Sequence, residues 1–274
     1  MDREFFKKLL SVPTYSKHED RMIDFILEYA TSKNIPTKID DFGNIYLLKG
    51  VDDENIEYLP CVVSHVDTVH YKHVDLIHNN GFLDIHEIAK DNNTYLFATM
   101  DDSNGDEIQT GVGGDDKAGI AICLEIINRT DNIIGAFFRQ EENGCHGSKA
   151  SDAEVMSKVG YAIQFDAPGD NWVSENCYGV KLYNDEFLGE IKDILDKYNQ
   201  TKYSHDPYTD VYALKKGYDF NTINFFAGYH NMHTDKEYIV IEQVEKAIEM
   251  GCEVIQKLGN KKMVYEYTGF NFRY

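Results

Sequence analysis

Residues 61 to 70, CVVSHVDTVH, run apolar through Val62 and Val63 and then break into Ser64, His65 and Asp67. With Leu59-Pro60 ahead of it, the run reads as a strand entering a sheet interior. At its end an imidazole and a carboxylate stand two residues apart, which on a strand places both on one face. Taken alone, a His-x-Asp is most simply a polar pair that closes a strand. The remainder of the chain supplies the context that changes this reading.

Working outward, the start predicts two helices, REFFKKLL and HEDRMIDFILEYATSK, the second with Met22, Ile23, Ile26, Leu27 and Ala30 at helical spacing. PTKIDDFGNIYLLKG reads as a strand pair turning near Asp41 to Asn44. GFLDIHEI and TYLFAT flank AKDNN as a hairpin. Beyond a glycine cluster, DKAGIAICLEIINR predicts a helix over 116–129, IIGAFF and GYAIQF predict strands, and NDEFLGEIKDILDKYN predicts an amphipathic helix over 185–199. A helix near 209–217, a strand over 221–226 and a last helix from Ile241 complete the pattern; Val244, Ala247, Ile248, Gly251, Ile255 and Leu258 form its apolar stripe. Strands alternating with helices predict an α/β fold: a mostly parallel, mixed sheet with helices on both faces, a three-layer sandwich.

A chain of 274 residues suffices for one large α/β domain or two small ones. No internal repeat, low-complexity tract or linker divides it, so residues 1–274 are expected to form a single domain. Apolar content of 42% with 27% charged residues is ordinary for a protein with a sizeable core. The formal charge of -20 argues against nucleic acid and anionic membranes as partners, because phosphate binding relies on Lys and Arg. No apolar run approaches the roughly 18 residues that span a bilayer, and the first twenty residues contain no continuous apolar signal region. A cytoplasmic location is therefore expected. The five scattered cysteines, at 61, 123, 145, 177 and 252, read as reduced core thiols.

Each buried strand is followed by metal-binding side chains: SHVD after Val62-Val63, RQEENG after IIGAFF, DAPG after YAIQF. In open α/β sheets ligands gather beyond the carboxyl ends of the strands, so these groups can converge although distant in sequence. GVGGDDKAG adds an aspartate pair at a helix start, and YHNMHTDKEY adds His230 and His233 before the final helix. Separately, these are a helix cap, solvated glutamates and loop histidines. Together they form the donor set of a two-metal hydrolase, in which ions roughly 3.5–4 Å apart share a bridging carboxylate. Mixed imidazole and carboxylate donors suit two divalent ions, Zn2+ first, with Co2+ or Mn2+ as alternatives.

The ordered series SHVDTV, GGDDKAG, EENGCHGS, FDAPG and NMHTDKEY resembles the co-catalytic zinc metallopeptidases that include peptidase T, carboxypeptidase G, aminoacylase and acetylornithine deacetylase, with peptidase T nearest in wording. The likeness spans nearly the whole chain, from SVPTYS and DDFGNIY onward. It implies that His65 and Asp166 are ligands of one metal, Glu142 and His233 of the other, and that Asp115 bridges them. It further implies that Asp67 orients the His65 ring and that Glu141 is the general base. Asp116 is left as a helix-start residue, and His230 as a weaker candidate than His233. The implied reaction is amide hydrolysis by metal-activated water, without a covalent intermediate.

Most of those relatives carry a lid and dimerisation domain after the residue matching Asp166. Here only 66 residues separate Asp166 from His233, too few to hold it. A monomer with an open cleft is expected, and His205 or Tyr208 are candidates for the oxyanion donor such a domain would supply. Asp210 is a candidate for holding a substrate ammonium. The leading function is an aminopeptidase or tripeptidase acting on short peptides; the alternatives are an N-acyl-amino-acid deacylase and a catalytically inactive binding protein on the same fold.

Overall fold

Four strands that the sequence marks as apolar, Leu59–His65, Ile133–Phe138, Val159–Phe165 and Asn221–Phe225, lie side by side at the centre of the protein in a computed structural model. The structure describes residues 1–200 and 208–266, and of 202–206 the backbone alone. Neighbouring strands of this central group are parallel, in the order 133–138, 59–65, 159–165, 221–225. Val62 sits opposite both Gly135 and Ile163, and Ile223 opposite Ile163.

Antiparallel strands extend both edges, Ile45–Lys49 and Thr37–Ile39 on one side, Trp172–Cys177 and Val180–Lys181 on the other. Lys202–Asp206 pairs with Trp172–Cys177 in parallel. The sheet is thus mixed, with its parallel pairing concentrated at the centre.

Successive residues of a central strand point to opposite faces. Val62 belongs to one buried cluster with residues of the helices Arg3–Ser11, Asp20–Ser32, Gly114–Arg129, Asp185–Lys197 and Ile241–Leu258, whereas Cys61 and Val63 belong to another with Val155, Met156 and Leu214 of the helices Ala153–Met156 and Asp210–Gly217. Both faces are covered, so the central strands need no polar alternation. Burying each Ile or Phe side chain there is worth about 1.5–3 kcal/mol. The helix Gly114–Arg129 is apolar on nearly every side because it lies between the sheet and the helices Arg3–Ser11 and Ile241–Leu258.

Of the 66 residues between Asp166 and His233, the described strands Trp172–Cys177, Val180–Lys181, Lys202–Asp206 and Asn221–Phe225 belong to the main sheet. A second, five-stranded antiparallel sheet joins Tyr229–His230, Tyr238–Val240, Asn93–Asp101, Asp84–Lys90 and Glu107–Thr110. The sequence predicts only its hairpin, over 81–99, since strands of two to four residues are too short to show alternation. This sheet holds the hairpin whose loop, 231–237, carries His233. All five cysteines are thiols rather than disulfides, four of them buried. No helix among the described residues is long and apolar enough to cross a membrane.

Candidate active site

The central parallel strands all end at one side of the sheet, and the polar residues that follow them meet there. His65 closes its strand with a fully buried side chain. Its Nε2 lies 3.1 Å from Asp115 Oδ1, 3.7 Å from Asp166 Oδ1 and 3.9 Å from Glu141 Oε2. The other oxygen of Asp115, Oδ2, lies 3.2 Å from His233 Nε2, which is also 3.2 Å from Glu142 Oε1. Asp115 therefore stands between two groups, turning one oxygen to each.

The local backbone explains how Asp115 reaches this position. Gly113 is left-handed, with φ 69°, and Asp115 and Asp116 depart from helical geometry, so the regular helix begins only after them. Asp116, expected at a helix start, does cap it: its Oδ1 accepts from Gly119 N at 3.1 Å. A Cβ at residue 119 would sit 2.1 Å from that oxygen, so glycine is required for the approach. Asp116 Oδ2 also accepts from Ser64 Oγ at 2.5 Å and His65 N at 3.3 Å. It thereby fastens the helix start to the strand end that presents His65.

Asp67 does more than the sequence implies. The nearest oxygen to His65 Nδ1 is the Asp67 backbone carbonyl at 3.1 Å, with Oδ1 at 3.4 Å. The carboxylate accepts from the backbone N–H of Glu141 at 3.0 Å and of Glu142 at 3.3 Å, and from Ser16 Oγ at 2.5 Å. It so anchors the loop that carries both glutamates. Asp166 is held by Tyr229 Oη donating to Oδ1 at 3.2 Å, and by Thr209 Oγ1 and Gln164 Nε2 donating to Oδ2 at 3.0 and 3.2 Å. The Cys145 thiol donates to Glu141 Oε1 at 3.2 Å.

Crowding of acids and imidazoles shifts their titration. Burial pushes Asp166 up to about 7, helped by the charge of Asp115, and drives Glu141 well above the usual carboxylate range. Burial opposes the Asp115 carboxylate too, but hydrogen bonds from His233 and His65 outweigh it and hold this group low. His233 is raised to about 11 by its hydrogen bonds to Asp115 and Glu142. Burial works against a charged His65, yet Asp166 and Asp115 lift it well above its ordinary value. The carboxylates thus favour positive charge between them, on the imidazoles or on bound cations.

That observation makes a metal fit. Two sets of donors lie close enough to share an ion, His65 with Asp115 and Glu142, and His65 with Asp116 and Asp166. The buried Glu142 Oε1 has His233 Nε2, 3.2 Å away, as its polar neighbour. Unlike the five convergent ligand candidates, His230 turns away, its Nε2 2.7 Å from Gln243 Oε1 and its ring stacked on Tyr238. The His205 side chain lies outside the described residues. Asp210 is fully buried and contributes nothing to the lining of the cleft, so a substrate ammonium does not meet it there.

The cleft above the cluster encloses about 150 Å3. Trp172, Tyr208, Pro168 and Met232 wall it, with Asp115, Glu141, Glu142 and Asp166 on its floor. No Lys or Arg lines it among the described residues. The sequence reading assigned no role to Tyr229, Thr209 or Ser16, although Thr209 could have been flagged as a hydroxyl directly before the predicted helix.

No protein-family model matches the chain, and no curated protein matches it. Solved structures do. Aminopeptidase PepT from Bacillus cereus ATCC 10987 is 16% identical with a TM-score of 0.70, over 93% of this chain and 97% of that one. A tripeptidase from Staphylococcus aureus subsp. aureus Mu50 is 13% identical with a TM-score of 0.67, over 92% and 96%. The TET1 peptidase of Pyrococcus horikoshii is 15% identical with a TM-score of 0.62, over 91% and 97%. At such identities the likeness establishes the α/β fold, and activity has to be argued from the site.

Proposed function

We propose that this chain is a two-metal peptidase, a single catalytic domain that removes N-terminal residues from short peptides. The observation that carries the reading is Asp115, with Oδ1 toward His65 and Oδ2 toward His233, and Glu141 alongside. His65, Asp115 and Asp166 would hold one divalent ion, and Asp115, Glu142 and His233 the other, with Zn2+ suited to this mixture and Co2+ or Mn2+ as alternatives. The bound ions would supply Lewis acidity toward the scissile carbonyl and the attacking water. Names of neighbours on the same fold, an aminopeptidase and a tripeptidase, support the choice of reaction.

The protein's own groups perform the proton transfers. Glu141 reaches into the cleft from a loop fixed by Asp67, and burial raises its affinity for a proton. It takes the proton of the attacking water and returns it to the departing amine. Asp67 and Asp116 keep the His65 ring and strand end in place, work that outer groups commonly do for metal ligands.

Charge favours a peptide over an N-acylated amino acid. Four carboxylates on the cleft floor match the four positive charges of two divalent ions, which leaves no surplus to attract a substrate carboxylate. A free amine meets no lysine or arginine among the described residues that line the same cleft. The test is kcat/KM, in the metal-loaded protein, for a tripeptide against N-acetyl-methionine. Faster turnover of the acylated amino acid would favour a deacylase, and inertness toward both would favour a binding protein.

A cytoplasmic setting agrees with cysteines that are held as thiols rather than disulfides. The monomer is proposed because four of the strands between Asp166 and His233 belong to the main sheet, which leaves little chain for a dimerisation module. The Pyrococcus horikoshii peptidase, which can assemble into a tetrahedron or a large octahedral shell, marks the alternative on this fold, and sedimentation distinguishes the two.

A further inference from the structure

The backbone around Asp115 leaves its amides without helical partners, because residues 113 to 116 turn before the helix proper begins. One side chain takes them. Glu237 is fully buried, and its Oε2 accepts from Gly113 N at 2.6 Å while Oε1 accepts from Asp115 N at 3.2 Å. The same Oε2 lies 2.9 Å from His70 Nε2. His70 is itself buried and packed so tightly on the glycine turn that a Cβ at Gly111 would fall 1.9 Å from its ring.

Glu237 and its partners together come from all three segments that matter. His70 follows His65 by five residues, Gly113 and Asp115 form the central turn, and Glu237 closes the loop that carries His233. We infer that Glu237 is a positioning residue that sets the separation of the two metal sites, by clamping the Asp115 backbone and the His233 loop to His70. It touches neither substrate nor the candidate ligand atoms. A carboxylate suits this place because it offers two acceptor oxygens and no donor to three converging N–H groups. An amide would turn an NH2 group toward at least one of those donors.

The inference rests on the two-metal reading, so wild-type stoichiometry is measured first. Titration with Co2+ should give two ions per chain; fewer would overturn that reading and this one with it. In Glu237→Gln, both ions should bind about 10- to 100-fold more weakly, as expected when an outer hydrogen-bond partner is lost. The visible bands of the cobalt-loaded variant should shift, since the ligand geometry changes, while circular dichroism stays native. A purely structural residue would lower the unfolding temperature and leave the spectrum alone.

His70→Ala provides the second reading should Glu237→Gln fail to fold. It removes one donor of the three and should weaken both ions by several-fold, and His70→Gln, which retains an N–H donor, should restore most of the affinity. Two full ions at wild-type affinity, with the wild-type cobalt spectrum, in folded Glu237→Gln or, failing that, in His70→Ala would overturn the clamp.

Discussion

The two halves of the cluster are built on different foundations. His65 and Asp166 stand at the ends of central parallel strands, with side chains almost wholly buried and carboxylate oxygens satisfied by Tyr229, Thr209 and Gln164. His233 occupies a loop, adopts a left-handed φ of 63°, and leaves 45% of its side chain exposed. A strand end is fixed by the whole sheet, whereas a loop residue is fixed by a few hydrogen bonds. The strand half should therefore hold its ion tightly and the loop half exchange its ion readily, with Asp115 as the candidate ligand that faces both imidazoles.

The largest effect should come from the shared residue. Asp115→Asn removes the negative charge that faces both imidazoles, and both ions should weaken by more than the roughly 100-fold typical of an outer-sphere partner. Elemental analysis after dialysis checks it; one ion retained at wild-type affinity would show that the halves do not share Asp115. Glu141→Gln comes next. Loss of a positioned proton carrier should lower kcat by about 100- to 10,000-fold while two ions remain. Loss of metal in that variant would instead make Glu141 a ligand.

Replacing each histidine in turn tests the asymmetry itself. His65→Ala strands Asp115 and Asp166 in a buried site and should destabilise the metal-free protein by about 3 kcal/mol or more. His233→Ala removes a half-exposed partner and should cost less than about 1 kcal/mol, leaving one ion bound. Thermal unfolding and metal content measure both. Equal destabilisation by the two changes would contradict the contrast between strand and loop.

Protons offer a gentler probe. Both imidazoles are raised above neutrality in the metal-free protein, His233 to about 11, so each must lose a proton to bind an ion. Metal uptake near pH 7 should release protons, and affinity should climb as pH rises. For His233 the folded value exceeds the unfolded one of 6.5, so its contribution to stability is complete below about 6.5 and fades as pH climbs through about 11. Calorimetry of Zn2+ binding in two buffers of different ionisation enthalpy counts the protons; identical heats would mean none is released.

The strand half was the more legible in the sequence, for the same reason that it is the more rigid. Apolar runs ending in His65 and Asp166, and the run ending at Phe138 just before Glu141-Glu142, announce both a buried strand and a polar cluster at its carboxyl end. The loop half depended on motif wording for His233, because the two short strands flanking it carry no periodic signal. Glu237 lay in view within the same motif, but its partner Gly113 is 124 residues away, a contact that no local pattern encodes. The double duty of Asp116, cap and anchor of Ser64, was half visible: the cap is local and the anchor is not.

The smallest expected effect sharpens the comparison most. Tyr229 is buried, and among the described residues its hydroxyl is one of three side chains that donate to the Asp166 carboxylate and the one that donates to Oδ1, the oxygen that lies 3.7 Å from His65. Tyr229→Phe keeps the ring and removes that donor, while Thr209 and Gln164 still hold Oδ2. A hydrogen bond to a charged group is worth about 1.5–3 kcal/mol when lost outright. Because two donors remain and a bound cation would itself satisfy Oδ1, the strand-half ion should weaken by roughly 10-fold or less, since about 1.4 kcal/mol corresponds to tenfold. The loop-half ion, whose candidate ligands Tyr229 does not hold, should be unchanged. Chelator competition that resolves the two binding steps reads the difference, and an equal loss at both steps would mean that the halves respond as one rigid unit.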